Sequence, residues 1–326
     1  MKKAVLVTLA DKKYLGYAKQ VFAGAYFNAG WQGDYLLLAH NCSKKDTEWF
    51  RKKGILVRYC ANIINQKEFG GDPAVYLSRW YLFQKEFKRW SHIVYLDVDV
   101  IIKAPLANLV QTKGFSAVSN IFPRIHWYFK EISFLRNVYP YEKTFASGVF
   151  VINTSIINSN SFNAITKLAK KLNPYLKSMG EEGLLNIFFY KKWHKLPNIY
   201  NLFVDKNENY WKINPLKVHT IIIHSIGSMK PWDRKSILYD EWQNIAQKAD
   251  KISLNRRISK KEWSKFKIFF YASFLEIKGF FLRKDIYEWQ FDLFYYAVMD
   301  IVMLRFPKFF KLLKKTKARI KKFNNV

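Results

Sequence analysis

The chain has 326 residues, half of them hydrophobic and 18% aromatic, which suffices for a full buried core and excludes a disordered polypeptide. Its 55 Lys and Arg against 25 Asp and Glu leave a formal net charge of +30, pointing to nucleic acid, an anionic membrane or a phosphorylated substrate as partner. Cys42 and Cys60, the two cysteines, form no Cys-x-x-Cys, so neither a disulfide framework nor a zinc ribbon is expected.

In chain order, the apolar stretch before Asp11-Lys12-Lys13 is too short for a signal peptide and is read as a first strand, 4–10. Residues 14–29 have helical spacing and end near Gly30; 34–40 are β-like, 43–53 helical and 55–59 β-like. After the turn Gly70-Gly71-Asp72-Pro73, a helix is expected over 74–90. The order β-α-β-α-β predicts an α/β fold with a mainly parallel central sheet, whose ligands collect at the carboxyl ends of the strands.

The next run, 92–103, is read as one apolar strand interrupted by Asp97 and Asp99. In an extended strand, side chains two residues apart point the same way, so the two carboxylates would emerge side by side. Carboxylates among apolar residues need a partner, and a divalent cation is a common one. A solvated strand end is the plain alternative. Further on, 145–153 reads as a strand, and 180–189 as a helix opening on Glu181 and Glu182, where acids suit the helix dipole. Residues 218–232 read as an apolar strand running into a Gly/Pro loop that carries His224 and Lys230. His40, His92, His126, His194 and His219 show no ligand spacing and are read as structural. There is no internal repeat, no P-loop, no Gly-x-Gly-x-x-Gly and no stretch of the roughly 20 apolar residues that a membrane span needs.

Composition shifts near 250, dividing the chain into 1–250 and a basic, aromatic-rich helical extension, 251–326, with 19 Lys/Arg against 6 Asp/Glu. From Arg305 onward nine basic residues occur without an acid, and Phe306, Phe309, Phe310 and Leu313 share one helical face. Such a helix suits an anionic bilayer surface. Nucleic acid is the rival partner, but no nucleic-acid motif is present and none is expected to bind.

Several motifs in order resemble glycosyltransferase family 8, which includes glycogenin and bacterial lipooligosaccharide galactosyltransferases. They are Val7-Thr-Leu9 with Tyr14; Leu77-Ser-Arg79-Trp80; Tyr95-Leu-Asp97-Val98-Asp99; Ser147-Gly148-Val-Phe-Val; Gly183-Leu-Leu-Asn186; Leu196-Pro197 with Tyr200-Asn201; and His224-x-x-Gly227-x-x-Lys230-Pro-Trp232. The resemblance covers about residues 3–235.

It implies a GT-A fold, a UDP-sugar donor (UDP-glucose or UDP-galactose), Mn²⁺ or Mg²⁺, and transfer with retention to a glycan or lipid-linked acceptor of the cell surface. Asp97, Asp99 and His224 would be the metal ligands. Leu9, Tyr14 and Val98 would meet the nucleotide, and Gly227 would let backbone approach the phosphates. Arg79 and Lys230 would stabilise the leaving diphosphate. Glu181, with Glu182 second, would steady the transition state.

Two departures bear on the donor sugar: Ala146 stands where the family has Asn or Asp, and Glu181-Glu182 where it has Asp-Gln. They leave open a non-catalytic sugar-nucleotide-binding protein of the same fold. The basic extension places the enzyme at the cytoplasmic face of the plasma membrane as a peripheral protein.

Overall fold

A computed structural model describes residues 3–131, 135, 137–205, 208–209 and 214–282. β1 (Val5–Asp11) leads into α1 (Leu15–Phe27), then β2 (Asp34–His40), α2 (Glu48–Lys52) and β3 (Leu56–Cys60). The short strands β4 (Glu68–Phe69) and β5 (Asp72–Pro73) precede two 3-10 stretches, Ala74–Phe83 and Lys85–Arg89. β6 (His92–Leu96), β7 (Val100–Ile102), β8 (Phe115–Arg124) and β9 (Lys143–Asn153) follow, then α3 (Ser161–Leu172) and α4 (Gly180–Phe188). The described chain continues through β10 (Trp193–Leu196), β11 (Leu202–Asp205), β12 (Glu208–Asn209), β13 (Ile222–Ser225), α5 (Tyr239–Ala246) and α6 (Lys265–Leu282).

Seven strands form the central sheet in the order β10-β8-β9-β6-β1-β2-β3. It is mostly parallel, as the alternation of strands and helices predicts; β9 alone among these seven runs antiparallel to its neighbours, β6 and β8. Alternate side chains of β1 feed two apolar layers. Val5, Val7 and Leu9 pack with Ile93 and Tyr95, and Leu6 and Ala10 with Val94, Leu96 and the residues of α1. A second sheet, β12-β11-β13-β7, lies against the α1 side through Ile101, Ile102, Ile222 and Ile223.

Three expectations about local structure need correction. The run 92–103 is not one strand: β6 belongs to the large sheet and β7 to the small one, with Asp97-Val98-Asp99 as the joint. The Asp97 amide still bonds the Gly148 carbonyl of β9 (2.8 Å), whereas the Ser225 amide of β13 bonds the Asp99 carbonyl (3.1 Å). The chain therefore changes sheets between the two carboxylates.

The helix expected over 74–90 is instead two 3-10 stretches broken at Gln84, whose ψ is 147°. Ala74, Leu77, Trp80 and Phe83 are all buried, and that spacing of three matches a 3-10 turn better than an α turn. The helix expected over 43–53 is α-helical only from Glu48, because Asp46 accepts from the Ser43 amide (2.9 Å) and hydroxyl (2.7 Å), closing a turn ahead of it.

The Gly70-Gly71 turn is present, with φ of +54° and +83° joining β4 to β5, a conformation that glycine adopts without strain. The compact unit holding both sheets spans Met1–Leu275, and Ile252, Ile268, Ala272 and Leu275 belong to its core. The chain beyond 250 thus contributes to it. Glu276–Val326 forms a second unit, and the basic run from Arg305 lies outside the described residues.

Candidate active site

Asp97 follows the last residue of β6, Asp99 precedes β7, and His224 stands in β13 directly opposite Val100. The sheet switch therefore brings the three together, although 125 positions separate Asp99 from His224. One ligand atom from each lies within 4.8 Å of the others. His224 Nε2 is 3.2 Å from Asp99 Oδ1, and its Nδ1 is 2.9 Å from Asn201 Oδ1. The Asn201 carboxamide oxygen accepts the Nδ1 proton, fixing the ring so that Nε2 faces the carboxylates. Gly148 leaves the room this requires: a Cβ there would fall 2.2 Å from His224 Cε1 and 2.8 Å from Asp97 Oδ2. Two carboxylates and one imidazole around a cradle kept open by glycine suit a divalent cation such as Mn²⁺ or Mg²⁺.

Each carboxylate also has a cationic neighbour. Lys230 Nζ is 2.7 Å from Asp99 Oδ2, and Arg79 Nη2 is 3.2 Å from Asp97 Oδ1, which also accepts from Tyr95 Oη at 2.7 Å. Burial works against the Asp99 carboxylate, but His224 and Lys230 outweigh it and hold its pKa below the ordinary range. For Asp97, burial prevails over Arg79 and the pKa is raised.

Behind Asp97 lies a largely buried layer. Arg79 is buried, and its Nη1 reaches the Ser147 carbonyl (3.1 Å), the Ser147 hydroxyl (3.0 Å) and Glu181 Oε2 (3.1 Å). Glu181 is 1% exposed, its Oε1 has no hydrogen-bond partner among the described residues, and burial pushes its pKa up to about 8. Glu182 is bound differently. It accepts from Tyr128 Oη (2.7 Å), Asn120 Nδ2 (2.9 Å), the Ser147 amide (2.8 Å) and the Ser147 hydroxyl (3.3 Å). Both glutamates sit at the start of α4, whose first residue Gly180 packs under the β4–β5 turn so closely that a Cβ would meet Gly70 Cα at 2.7 Å.

A cavity of about 390 Å³ opens at the carboxyl ends of β1 and β6, the size of a small-ligand site. Leu9, Tyr14, Arg79, Asp97, Val98, Asp99 and Lys230, all singled out from the sequence, line it together. His224 is buried beside Asp99, and Ala146 is buried in β9. Glu181, Glu182 and Gly227 are not among the lining residues. Gly227 has φ +75°, and a Cβ there would sit 2.4 Å from Asp205 Oδ1, so its glycine serves the loop.

That loop is pinned at both ends of Lys230. The Ser225 hydroxyl donates to the Met229 carbonyl (2.7 Å), and the Trp232 ring stacks on Tyr17 with centroids 3.8 Å apart. Sequence reasoning did not reach Tyr76, which lines the cavity with the Arg79 guanidinium 5.2 Å from its ring, nor Tyr128 and Asn120, and it gave Tyr95 and Asn201 as motif residues without their partners. Their signal is the company they keep in space, which no local spacing carries.

The model of glycosyl transferase family 8 matches residues 37–236. The chain is 27% identical over 169 residues to Glycogenin-1 of Caenorhabditis elegans, covering 48% of this chain and 34% of that protein. It is 24% identical over 237 residues to the glycosyltransferase GlyB of Streptococcus pneumoniae, covering 68% of this chain and 48% of that one. The chain thus spans about a third to a half of the length of these curated relatives.

Among solved structures, the galactosyltransferase LgtC in complex with donor and acceptor sugar analogs aligns with a TM-score of 0.54 at 18% identity, over 74% of this chain and 95% of LgtC. The apo form of GlyE from Streptococcus pneumoniae aligns with a TM-score of 0.55 at 18% identity, over 78% and 62%. These likenesses establish the GT-A-type fold. With the family match extending over most of the described fold, the chain belongs to glycosyltransferase family 8.

Proposed function

We propose that this protein is a metal-dependent, retaining hexosyltransferase that moves glucose or galactose from a UDP-sugar to a glycan or lipid-linked acceptor in cell-surface polysaccharide or lipopolysaccharide synthesis. The observation that carries this reading is the convergence of Asp97, Asp99 and His224 beside the cavity that Lys230, Leu9 and Tyr14 also border. Asp97, Asp99 and His224 would hold Mn²⁺ or Mg²⁺, which supplies Lewis-acid stabilisation of a diphosphate leaving group when bound.

The chain's own residues do the rest. Leu9 and Tyr14 form an apolar wall for the base, next to Val98. Lys230 stands where charge develops on the departing diphosphate, and its ammonium is most effective at that moment. Arg79 is committed to Asp97 and Glu181, so its work is to set these two acids as well as to add positive potential. Glu182, held by Tyr128, Asn120 and both the amide and the hydroxyl of Ser147, is the better placed of the two acids to steady positive charge on the sugar ring. Glu181, whose pKa is near 8, is the weaker choice. The +30 charge supports work at an anionic membrane surface, which in this reading is the cytoplasmic face of the plasma membrane.

The test is turnover. Purified protein incubated with a panel of UDP-sugars should release UDP only when Mn²⁺ or Mg²⁺ is present, and unchanged turnover in EDTA would refute the reading. Donor binding without turnover of any UDP-sugar would favour the non-catalytic alternative.

A further inference from the structure

Helix α6 is apolar on both sides. Ile268, Ala272 and Leu275 turn inward and are part of the core. On the other side, Phe266, Phe269, Phe270 and Phe274 are 76%, 69%, 53% and 54% exposed. At spacings of three and four they form one stripe, and the rings of Phe266, Phe270 and Phe274 follow one another with centroids 6.4 Å apart. A helix that is apolar all round is ordinarily buried all round, and a contiguous exposed aromatic patch marks an interaction surface.

The surrounding charge selects the occupant. Lys260, Lys261, Lys265 and Lys267 are all exposed at the amino-terminal end of the stripe, with Glu262 the one acid between them. The chain as a whole carries +30. A surface that is anionic outside and apolar just beneath satisfies both features at once. No described helix is long and apolar enough to cross a membrane, so such a helix would lie in the plane of the interface.

We propose that Phe266, Phe269, Phe270 and Phe274 form the face by which this protein seats itself in an anionic lipid bilayer, with the four lysines meeting headgroup phosphates. The sequence assigns membrane contact to the extension 251–326 as a whole; this stripe is the part of it that lies within the compact unit carrying the candidate active site. The proposal is independent of the transfer chemistry, since it needs neither donor nor cation.

The test is co-sedimentation of the full chain with phosphatidylcholine vesicles, with and without phosphatidylglycerol. Wild type should partition onto the phosphatidylglycerol vesicles, and the triple variant Phe266→Ser, Phe270→Ser, Phe274→Ser should partition at least about tenfold less. Lys261→Gln with Lys265→Gln should weaken binding and flatten its dependence on phosphatidylglycerol. All these side chains are exposed, so the variants should keep the wild-type thermal midpoint, which certifies their fold. Equal partitioning of wild type and the triple variant overturns the proposal, as does wild type that binds neither vesicle. Concentration-dependent self-association that the triple variant abolishes would identify a second copy as the occupant and overturn it too.

Discussion

Gly148 and His224 are in contact in a way that admits no side chain: a Cβ on Gly148 would stand 2.2 Å from the imidazole Cε1. Gly148 belongs to β9, which pairs with β6, while His224 belongs to the other sheet. The glycine is therefore where the two sheets come close enough for His224 to share a cation with Asp97 and Asp99. Gly148→Ala should displace the ring and lower Mn²⁺ affinity by about 10- to 100-fold, as loss of ligand orientation does elsewhere. Calorimetric Mn²⁺ titration in the presence of UDP measures it, and near-normal affinity would show that His224 is no ligand.

Lys230 Nζ lies 2.7 Å from Asp99 Oδ2 and so engages a carboxylate that a bound cation would also draw on. Replacing it should therefore have opposite effects on the two ligands. Lys230→Met should bind Mn²⁺ alone up to about fivefold more tightly, the worth of a partly exposed ion pair. It should bind UDP in the presence of Mn²⁺ more weakly, because the diphosphate loses its ammonium partner. Parallel titrations with and without UDP decide this, and a loss of both affinities would mean that Lys230 supports the site in another way.

Glu181 gives the protein a pH dependence of known sign. Burial raises its carboxyl from the ordinary 4.5 to about 8 in the folded state, so the folded form binds the extra proton between those limits. A carboxyl raised on folding favours the native state at low pH, and stability falls as pH climbs from roughly 4.5 towards 8. Glu181→Gln keeps the neutral shape and removes the ionisation. Its thermal midpoint should be less sensitive to pH between about 5 and 8 than that of wild type. Scanning calorimetry in EDTA checks this, and parallel curves would show that Glu181 is already ionised, paired with Arg79.

The fold class and most of the cavity lining were legible in the sequence because they follow from patterns a chain displays locally. β1 to β3 announce themselves as apolar runs separated by a helical period, and Asp97-x-Asp99 stands out against buried neighbours. The break between β6 and β7 was not legible. Both halves are buried strands, so the apolar pattern runs on across the joint whether one sheet receives it or two. The 3-10 geometry over Ala74–Phe83 was visible in principle as burial every third residue, but Leu82 and Phe87 blur that period.

Arg79 was placed on the diphosphate from its position before the Asp-x-Asp strand. The structure adds that Asp97, Glu181 and Ser147 already engage it, information that lives in three separate elements. The role of Asn201 in orienting His224 is of the same kind, for an amide in a loop carries no sign of the ring it will meet.

The central claim is that Asp97, Asp99 and His224 grip one divalent cation beside a nucleotide diphosphate. The most direct measurement is the thermal shift produced by UDP with and without Mn²⁺, in wild type and in Asp99→Asn. Wild type should be stabilised by UDP strongly only when Mn²⁺ is present, by a few kcal/mol at ligand concentrations of about 100 times Kd. Asp99→Asn should fold but lose that Mn²⁺-dependent increment. A UDP shift that is the same in EDTA, or that survives intact in Asp99→Asn, would contradict the account.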